Sequence, residues 1–346
     1  MRIQDIEKII SASGASDKNP APEEITNPAD NRYIVKKDPD WDPSSMNGKF
    51  TYTVTAKDEA DGASYKDLVR WHFSFSRRLL TKLKKEDLVY INGQRIPMYK
   101  PARTGDVITV LLPEERSDFL PEPIKITPVY EDEDLLIINK QPGYVVHPTK
   151  GHPVHTMANG IMQYMIDTGQ SFKIRFINRL DMDTSGLLAV AKNSHSQDEL
   201  TKQMKTGSVR KTYKALVKGI VTDDEGTIDA PIGRPEAENV VRAVIPDGYP
   251  SVTHYKVLER YEKAGCTLVQ LLLETGRTHQ IRVHMSYIGH PVLGDQLYGG
   301  QAPLYIDRQA LHAAYLTFKH PMTGKTIDLE APLPQDILNA IKKLQS

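Results

Sequence analysis

Cysteine and long apolar runs are what this chain of 346 residues most clearly lacks. Its single thiol, Cys266, excludes an internal disulfide and a cysteine-based metal cage, and such cysteine usage suits a reducing compartment. No apolar run approaches the ~20 residues that a membrane helix needs, and the N-terminal segment has no apolar signal region. We therefore expect a cytoplasmic protein without a membrane-spanning segment.

The chain also lacks net charge, because 44 Lys and Arg residues balance 44 Asp and Glu residues. The overall charge therefore gives no argument for an RNA or membrane partner. Neither a phosphate-binding loop of the Gly-x4-Gly-Lys-Ser/Thr form nor a Gly-x-Ser-x-Gly elbow occurs in the sequence. We expect no nucleotide cofactor.

The histidines do not form a metal-binding pattern. His147, His152 and His155 lie in a Pro/Gly-rich segment without a carboxylate or thiol close by. His279 and His284 are five residues apart and would project about 140° apart on a helix, so they could not share one ion. We expect no metal.

Charge and proline are unevenly distributed along the chain. Residues 1–48 have a net charge of −3, five prolines and room for only one short helix, Ile3–Ile10, whereas Phe75–Arg103 has a net charge of +6. Composition and patterning divide the chain into a flexible acidic leader (1–48), a small basic domain (49–112), a linker (113–125), a larger strand-rich domain (126–335) and a C-terminal tail (336–346).

The small domain combines strand and helix patterns. Phe50–Thr55 alternates like a strand, and Tyr65–Lys85 has the spacing of a helix. A short strand pair is expected through Leu88–Ile91 and Asp106–Leu112, with Asn92-Gly93 as the turn.

In the larger domain, charged and turn-forming residues lie between two apolar segments. Ile174–Ile177 and Leu187–Ala191 are expected to be strands, so that Arg179–Gly186 is an exposed loop on a buried support. The carboxylates of Asp181 and Asp183 make this loop a candidate for catalysis, although Asp-Thr-Ser-Gly is also ordinary turn chemistry.

This loop, Arg-Leu-Asp-Met-Asp-Thr-Ser-Gly, resembles the signature of the RluA/RluD family of pseudouridine synthases. The resemblance implies that Asp181 is the catalytic carboxylate, acting either as nucleophile or as base. Most members of the family have His before the Arg, where this chain has Asn178. The resemblance also implies that Arg179 occupies the space vacated when the target base leaves the RNA stack.

Two further motifs match the same family. Lys211–Val217 fits the pattern Lys-x-Tyr-x-Ala-x-Val, which implies that Tyr213 packs against the target base. Leu271–His284 contains a Thr-Gly turn followed by a helix that we expect to be capped by Thr278. The resemblance implies that Arg282, on this helix, pairs with the catalytic aspartate. Helical spacing predicts three helices in this domain, Val154–Thr168, Ser194–Lys205 and Thr278–Ile288.

The small domain resembles the S4-type RNA-binding module through Ser76–Leu80, Val89–Gly93 and Thr104–Ile108. In such modules basic helix residues bind phosphates, and a solvated charged face is the alternative interpretation. The residues expected to contact RNA are Arg77, Arg78, Lys82 and Lys85 in the module and Arg179, Lys211, Arg277 and His279 in the larger domain.

Together the motifs imply an α+β pseudouridine synthase fold with a mostly antiparallel central sheet, flanking helices and an RNA cleft. The implied reaction converts specific uridines of structured RNA to pseudouridine without cofactor or metal, by a monomeric enzyme. The fused S4-like module favours 23S ribosomal RNA, although relatives that modify tRNA look similar. One alternative is a catalytically silent RNA-binding protein. Another is a magnesium phosphohydrolase using Asp181 and Asp183, which Asn178 and Arg179 oppose by interrupting the strand that should lead into the first aspartate.

Overall fold

The computed structural model describes residues 49–73, 75–236 and 241–346. The acidic leader, including the helix predicted at Ile3–Ile10, lies outside the described residues. Within the described ranges, no helix is both long enough and apolar enough to cross a membrane.

The small N-terminal domain is a three-stranded antiparallel sheet, in the order β1-β3-β2, packed against three short helices. Its elements are β1 (Lys49–Thr53), α1 (Ala56–Ala60), α2 (Tyr65–His72), α3 (Arg77–Lys85), β2 (Val89–Ile91) and β3 (Val107–Leu111). Each helix begins at a side-chain cap, Thr55, Ser64 or Ser76, which accepts a hydrogen bond from the backbone of the first turn.

Two details of this domain differ from the prediction. The pattern over Tyr65–Lys85 forms two helices rather than one, because Phe73 and Phe75 stack on each other in the core and Ser76 then caps a new helix. The Asn92-Gly93 turn joins Ile91 to Gln94 instead of joining β2 to β3, which are connected by the longer segment that follows.

The larger domain is built on one ten-stranded sheet. Eight strands form the path β4-β5-β7-β14-β8-β13-β12-β9, while β6 pairs with β7 and β15 with β14. Every pair is antiparallel except β7 with β14, which confirms the predicted mostly antiparallel sheet. The strands are β4 (Pro128–Glu131), β5 (Leu135–Lys140), β6 (Arg175–Phe176), β7 (Ser185–Ala191), β8 (Arg210–Lys218), β9 (Glu225–Asp229), β12 (Val252–Tyr261), β13 (Cys266–Leu273), β14 (Leu311–Lys319) and β15 (Thr326–Glu330). A separate hairpin pairs β10 (Ile232–Gly233) with β11 (Ala243–Val244).

Four helices flank this sheet: α4 (Met157–Asp167), α5 (Ser194–Lys205), α6 (Gln280–Tyr287) and α7 (Gln335–Gln345). The bounds of α5 are those predicted from the sequence, and α4 begins three residues later than expected. Helix α6 begins after His279, so Thr278 is not its cap. The reason is that the side chain of Gln280 accepts hydrogen bonds from the Arg277 amide and the Thr275 hydroxyl, which keeps the preceding turn out of the helix.

The last helix, α7, covers nearly all of the predicted tail 336–346. It buries Ile337, Ala340 and Leu344 in a cluster that also contains the buried thiol of Cys266. The C-terminal residues therefore contribute to the hydrophobic core of the larger domain.

Candidate active site

The candidate site is assembled across four neighbouring strands of the large sheet. Gly186, at the end of the signature loop, lies opposite Ala313 on β14, and Ala313 lies opposite Tyr213 on β8. Tyr213 in turn lies opposite Leu271 on β13, the strand that leads through a turn into α6 and Arg282. Strand register therefore brings the three sequence motifs to one place.

Gly186 is required by this arrangement. Its backbone has a φ of +111°, and a Cβ atom there would lie 2.3 Å from the carbonyl oxygen of Ala313. The glycine of the signature thus allows β7 and β14 to approach directly behind the catalytic loop.

Asp181 lies in the loop between β6 and β7 and forms an ion pair with Arg282, with 2.9 Å between Oδ2 and Nη1. Arg282 also binds Asp295 through two hydrogen bonds, from Nε at 2.6 Å and from Nη2 at 2.9 Å. Asp295 is fully buried and accepts further hydrogen bonds from the backbone amides of Leu297 and Tyr298. The guanidinium is therefore fixed from behind while it orients the half-buried Asp181.

Electrostatics favour the charged form of Arg282. Burial alone would lower the pKa of its guanidinium, but the hydrogen bonds and charge of Asp295, together with the charge of Asp181, raise the pKa above its ordinary value. Arg282 also stacks over the Tyr298 ring at 5.0 Å. The group that orients Asp181 is permanently cationic.

His279 is the other polar group near Asp181. Its Nε2 lies 3.9 Å from Oδ2 of Asp181, and its Nδ1 is 2.8 Å from the hydroxyl of Tyr298. Burial, reinforced by the charge of Arg282, lowers the pKa of the imidazole in spite of the opposing charge of Asp181. The lowered pKa favours the neutral form of His279 near pH 7. Its backbone is left-handed, with a φ of +60°.

Tyr213 forms the buried wall of the site, with 8% of its surface exposed. Burial, and to a lesser extent the charge of Asp181, raise the pKa of its hydroxyl, so the phenol stays neutral at physiological pH. The pocket in front of it has a cavity volume of about 60 Å³ and is open to solvent. It is lined by Arg179, Asp181, Tyr213, Arg277, His279 and Arg282 together with apolar and polar neighbours.

Two cations hold the backbone of the catalytic loop, and the prediction of site residues did not include either of them. The buried Lys140 donates from Nζ to the carbonyls of Met182 at 2.7 Å and Thr184 at 2.9 Å. Arg308 donates from Nη1 to the carbonyl of Asp183 at 2.8 Å. Three consecutive carbonyls next to Asp181 are thus fixed by side-chain donors, and the amide of Gly143 also binds the Met182 carbonyl, at 3.0 Å.

The two cations differ in their surroundings away from the loop. Burial lowers the pKa of Lys140 to about 7, opposed by the charges of Asp183 and Asp181 and reinforced by that of Arg308. Arg308 binds Asp336, at the start of α7, through Nε at 2.6 Å and Nη2 at 2.9 Å. The C-terminal helix is therefore connected to the catalytic loop through Arg308.

Asn178 performs a backbone role at the start of the loop. Its side-chain oxygen accepts from the amide of Ala189 at 2.8 Å, and its amide nitrogen donates to the carbonyl of Leu187 at 3.1 Å. The side chain thus continues the pairing of β6 with β7 by one residue. The position where most RluA/RluD sequences have His is structural in this chain.

The predicted RNA-binding residues fall into two groups. Arg179, Arg277 and His279 line the pocket, and Arg179 is exposed. The Nζ atom of Lys211 lies beside the turn at Gly276, next to these residues in the chain. Arg77, Arg78 and Lys85 are exposed on α3, outside the residues that line the pocket. Lys82 is half-buried and forms ion pairs with Glu115 at 3.3 Å and Glu86 at 3.8 Å.

One group of possible metal ligands occurs among the described residues, formed by Asp132, Asp134 and His320. Its members already bind protein groups. Asp132 lies 2.7 Å from His320 and accepts from Tyr130, while Asp134 accepts from Asn193 at 2.7 Å. None of the three lines the pocket with Asp181.

Comparison with known proteins agrees with this geometry. Residues 134–287 match the family described as RNA pseudouridylate synthase. The chain is 42% identical over 297 residues, 84% of its length and 97% of the relative's, to the uncharacterized RNA pseudouridine synthase YlyB of Bacillus subtilis. It is 37% identical to the ribosomal large subunit pseudouridine synthase D of Vibrio parahaemolyticus, over 87% of this chain and 96% of the relative.

Among solved structures, human RNA pseudouridylate synthase domain containing 1 superposes with a TM-score of 0.50 at 28% identity, covering 64% of this chain and 95% of that one. The fold and the site thus define an α+β protein in which a carboxylate on a loop, Asp181, is oriented by an arginine. The chain belongs to the RluA/RluD-type family of RNA pseudouridine synthases. It is accordingly an enzyme that isomerises uridine to pseudouridine in RNA.

Proposed function

We propose that the enzyme modifies uridines of 23S ribosomal RNA, with Asp181 as its catalytic carboxylate. The observation that carries the residue assignment is the ion pair between Asp181 and Arg282 in the pocket walled by Tyr213. The substrate assignment rests on relatives named ribosomal large subunit pseudouridine synthase D, which are 36–42% identical to the chain over most of their length.

Asp181 is oriented for reaction with the target nucleotide. Arg282 binds Oδ2, and Oδ1 accepts no hydrogen bond from a residue of the described ranges. This oxygen can attack C1′ of the ribose or take a proton from the sugar. If it attacks C1′, the bond between C1′ and N1 breaks and uracil leaves as its anion; the base turns, C5 bonds to C1′ as the ester to Asp181 breaks, and the C5 proton is exchanged for one on N1. If it takes the proton from C2′, the bond between C1′ and N1 breaks to leave a glycal; C5 then bonds to C1′ while the proton returns to C2′, and the C5 proton is again exchanged for one on N1. No redox or energy-supplying partner is needed for this balance.

Tyr213 and Arg179 complement this carboxylate. The neutral, buried Tyr213 offers a flat apolar wall against which the detached uracil can turn. Arg179 is exposed and forms neither a hydrogen bond nor an ion pair within the described part of the chain, so it is available to fill the gap left in the RNA stack. Extruding a base from a duplex costs a few kcal/mol, which a stacked guanidinium partly offsets.

The remaining RNA contacts serve to hold the substrate. The small domain, residues 49–112, acts as an S4-like module whose exposed Arg77, Arg78 and Lys85 bind phosphates. Lys82 contributes less, since it is already paired with Glu115 and Glu86. Lys211 and His279 contact the RNA near the pocket, and Arg277 lies at its rim. The enzyme works as a monomer in the cytoplasm, where ribosomal RNA is made.

The test is conversion of a 23S ribosomal RNA transcript by the purified protein, with pseudouridines mapped by carbodiimide marking and primer extension. We expect conversion by the wild type and none by Asp181→Asn, which removes the charge but keeps the shape. Asp183→Asn is the matched control, because Asp183 is on the same loop but does not bind Arg282, and it should keep most of the activity. Conversion by Asp181→Asn at the wild-type rate would contradict the assignment of the carboxylate. A wild type that converts tRNA but not 23S RNA would contradict the proposed substrate.

A further inference from the structure

An exposed aromatic ring lies at the rim of the active-site pocket. Tyr249 is 69% exposed, although a ring of this size normally buries much of its surface. The guanidinium of Arg277 lies over this ring, 5.3 Å from its centroid. Arg277 also lines the pocket that contains Asp181 and Tyr213, so the pair extends the site outward from the reacting centre.

Backbone contacts hold both planar groups in place. The amide of Tyr249 donates to the carbonyl of Ile232 at 2.8 Å, and the carbonyl of Tyr249 accepts from the amide of Ile232 at 3.0 Å. Arg277 donates from Nε to the carbonyl of Pro250, the next residue, at 3.3 Å. The backbone of Tyr249 and the guanidinium of Arg277 are therefore held before any substrate binds, which reduces the entropy lost on binding.

The chemistry of the pair fits a nucleobase. Aromatic rings and arginine planes both stack on bases, and stacking accepts any base because each has a π-face. The positive charge of Arg277 also attracts the phosphates on either side. A uridine that leaves its stack to enter the pocket exposes the faces of its neighbours in the RNA chain, so an unstacked base is available next to the target.

We propose that Tyr249 and Arg277 form a second base-binding site, which takes an unpaired nucleobase adjacent in the RNA chain to the target uridine. The site rests on the RNA substrate of the proposed function and adds to Arg277 a residue outside the three family motifs, Tyr249. It would select targets by the presence of a base that can stack, without reading its hydrogen-bonding edge.

The test uses a fluorescein-labelled RNA nonamer with one central uridine flanked by four adenosines on each side, and eight versions with an abasic ribose at one flanking position. Dissociation constants are measured by fluorescence anisotropy. We expect the wild-type protein to lose between about 5-fold and about 150-fold in affinity at one flanking position, the range for loss of one stacked base. Tyr249→Ala should bind the intact nonamer more weakly by a similar factor and be insensitive to the abasic substitution at that position.

Matched variants separate stacking from general damage. Tyr249→Phe should behave as the wild type, Tyr249→Leu should resemble the Ala variant while keeping apolar volume, and Arg277→Lys should lose part of the sensitivity because it keeps the charge but not the plane. Tyr287→Ala removes another tyrosine that is 62% exposed, at the far end of α6, and should change nothing.

The proposal would be overturned if abasic substitution lowered the affinities of the wild type and of Tyr249→Ala equally at every flanking position. It would also be overturned if no abasic substitution changed the affinity of the wild type. Neither result depends on which RNA the enzyme modifies. Failure of the 23S conversion assay, with the nonamer pattern as expected, would contradict the proposed substrate and leave the base-binding site supported.

Discussion

The catalytic loop and helix α3 both present charged side chains, but they hold them in opposite ways. In the loop, Asp181 is bound by Arg282, and the next three backbone carbonyls are bound by Lys140 and Arg308. On α3, Arg77 and Arg78 are exposed and form no ion pair with another described residue. The loop is held in place by these specific contacts, whereas the arginine side chains of α3 are free to change conformation.

The difference corresponds to two tasks with different tolerances. A catalytic carboxylate must be held within about 0.5 Å of its productive position, so its supporting contacts are as important as the group itself. Attraction of phosphates acts over several ångströms and depends mainly on the number of charges. Substitutions in the two regions should therefore have different consequences for rate, stability and salt dependence.

The largest effect is expected from Arg282→Ala, which removes the orienting partner of Asp181 and leaves the buried Asp295 uncompensated. Turnover under single-turnover conditions should fall by at least about 100-fold. The free energy of unfolding in urea should fall by ~3–5 kcal/mol, the usual cost of breaking a buried ion pair. Arg282→Lys should lose less turnover and less stability, because it keeps the positive charge. It should still lose some of each, because lysine cannot form the two hydrogen bonds to Asp295.

The control for this change is Asp224→Ala, which breaks an arginine-aspartate pair on the surface. Asp224 is 85% exposed, and its partner Arg260 keeps its hydrogen bonds to the carbonyls of Val221 and Thr222, so the loss of stability should be only about 0–1 kcal/mol, with turnover unchanged. Wild-type turnover by a folded Arg282→Ala enzyme would mean that the ion pair does not orient Asp181.

The sequence predicted the residues that line the pocket more completely than the residues that support the loop behind it. The family resemblance implied the pairing of Asp181 with Arg282, and the structure brings these side chains to 2.9 Å. The apolar run Leu187–Ala191 predicted most of β7, because a strand that is buried on both faces is apolar at consecutive positions.

The supporting groups could not be predicted, because their contacts join distant parts of the chain. Lys140 and Arg308 reach loop carbonyls 42 and 125 residues away, and a lone lysine or arginine carries no periodic signal. The start of α6 was also missed, because the side chain of Gln280 fixes the preceding turn in a way that residue preferences do not reveal. One feature of the sequence could have indicated a supporting role for Lys140. It is the last residue of β5, so a buried apolar strand ends in a charged residue just before Gln-Pro-Gly.

Lys140→Met should have the next largest effect, because it leaves two loop carbonyls without their side-chain donor. The free energy of unfolding should fall by ~1–3 kcal/mol, and turnover should fall about 10-fold or more as the loop loosens. Lys192→Met is the matched control, since Lys192 is equally buried but binds Glu131 and Gln170. It should lower stability while the remaining folded enzyme keeps its turnover, and equal loss of turnover in both variants would contradict a specific role for Lys140.

Lys140 also gives a pH dependence of defined sign. Its pKa is about 7 in the folded protein and 10.5 as the ordinary value, so between these two pH values the unfolded chain binds more protons. The free energy of unfolding of the wild type, relative to that of Lys140→Met, should therefore rise as the pH increases from 7 toward 10. The rise should be at most about 1.4 kcal/mol per pH unit. Urea unfolding of both proteins at pH 7 and pH 9.5 measures this difference, and a constant difference would contradict the lowered pKa.

The smallest effect per residue is expected on α3, where Arg77→Ala and Arg78→Ala remove exposed charges without breaking a contact. The double variant should keep its stability within ~0.5 kcal/mol and its single-turnover rate at saturating RNA. Its affinity should fall, and the slope of log K against log salt should decrease by up to about 1.8 because each lost phosphate contact contributes ~0.9 on duplex RNA. Lys263→Ala with Lys342→Ala removes two exposed charges elsewhere on the surface and serves as the control. If both double variants change the slope equally, α3 contributes only to overall charge, and the contrast between a fixed catalytic loop and an adjustable binding helix no longer holds.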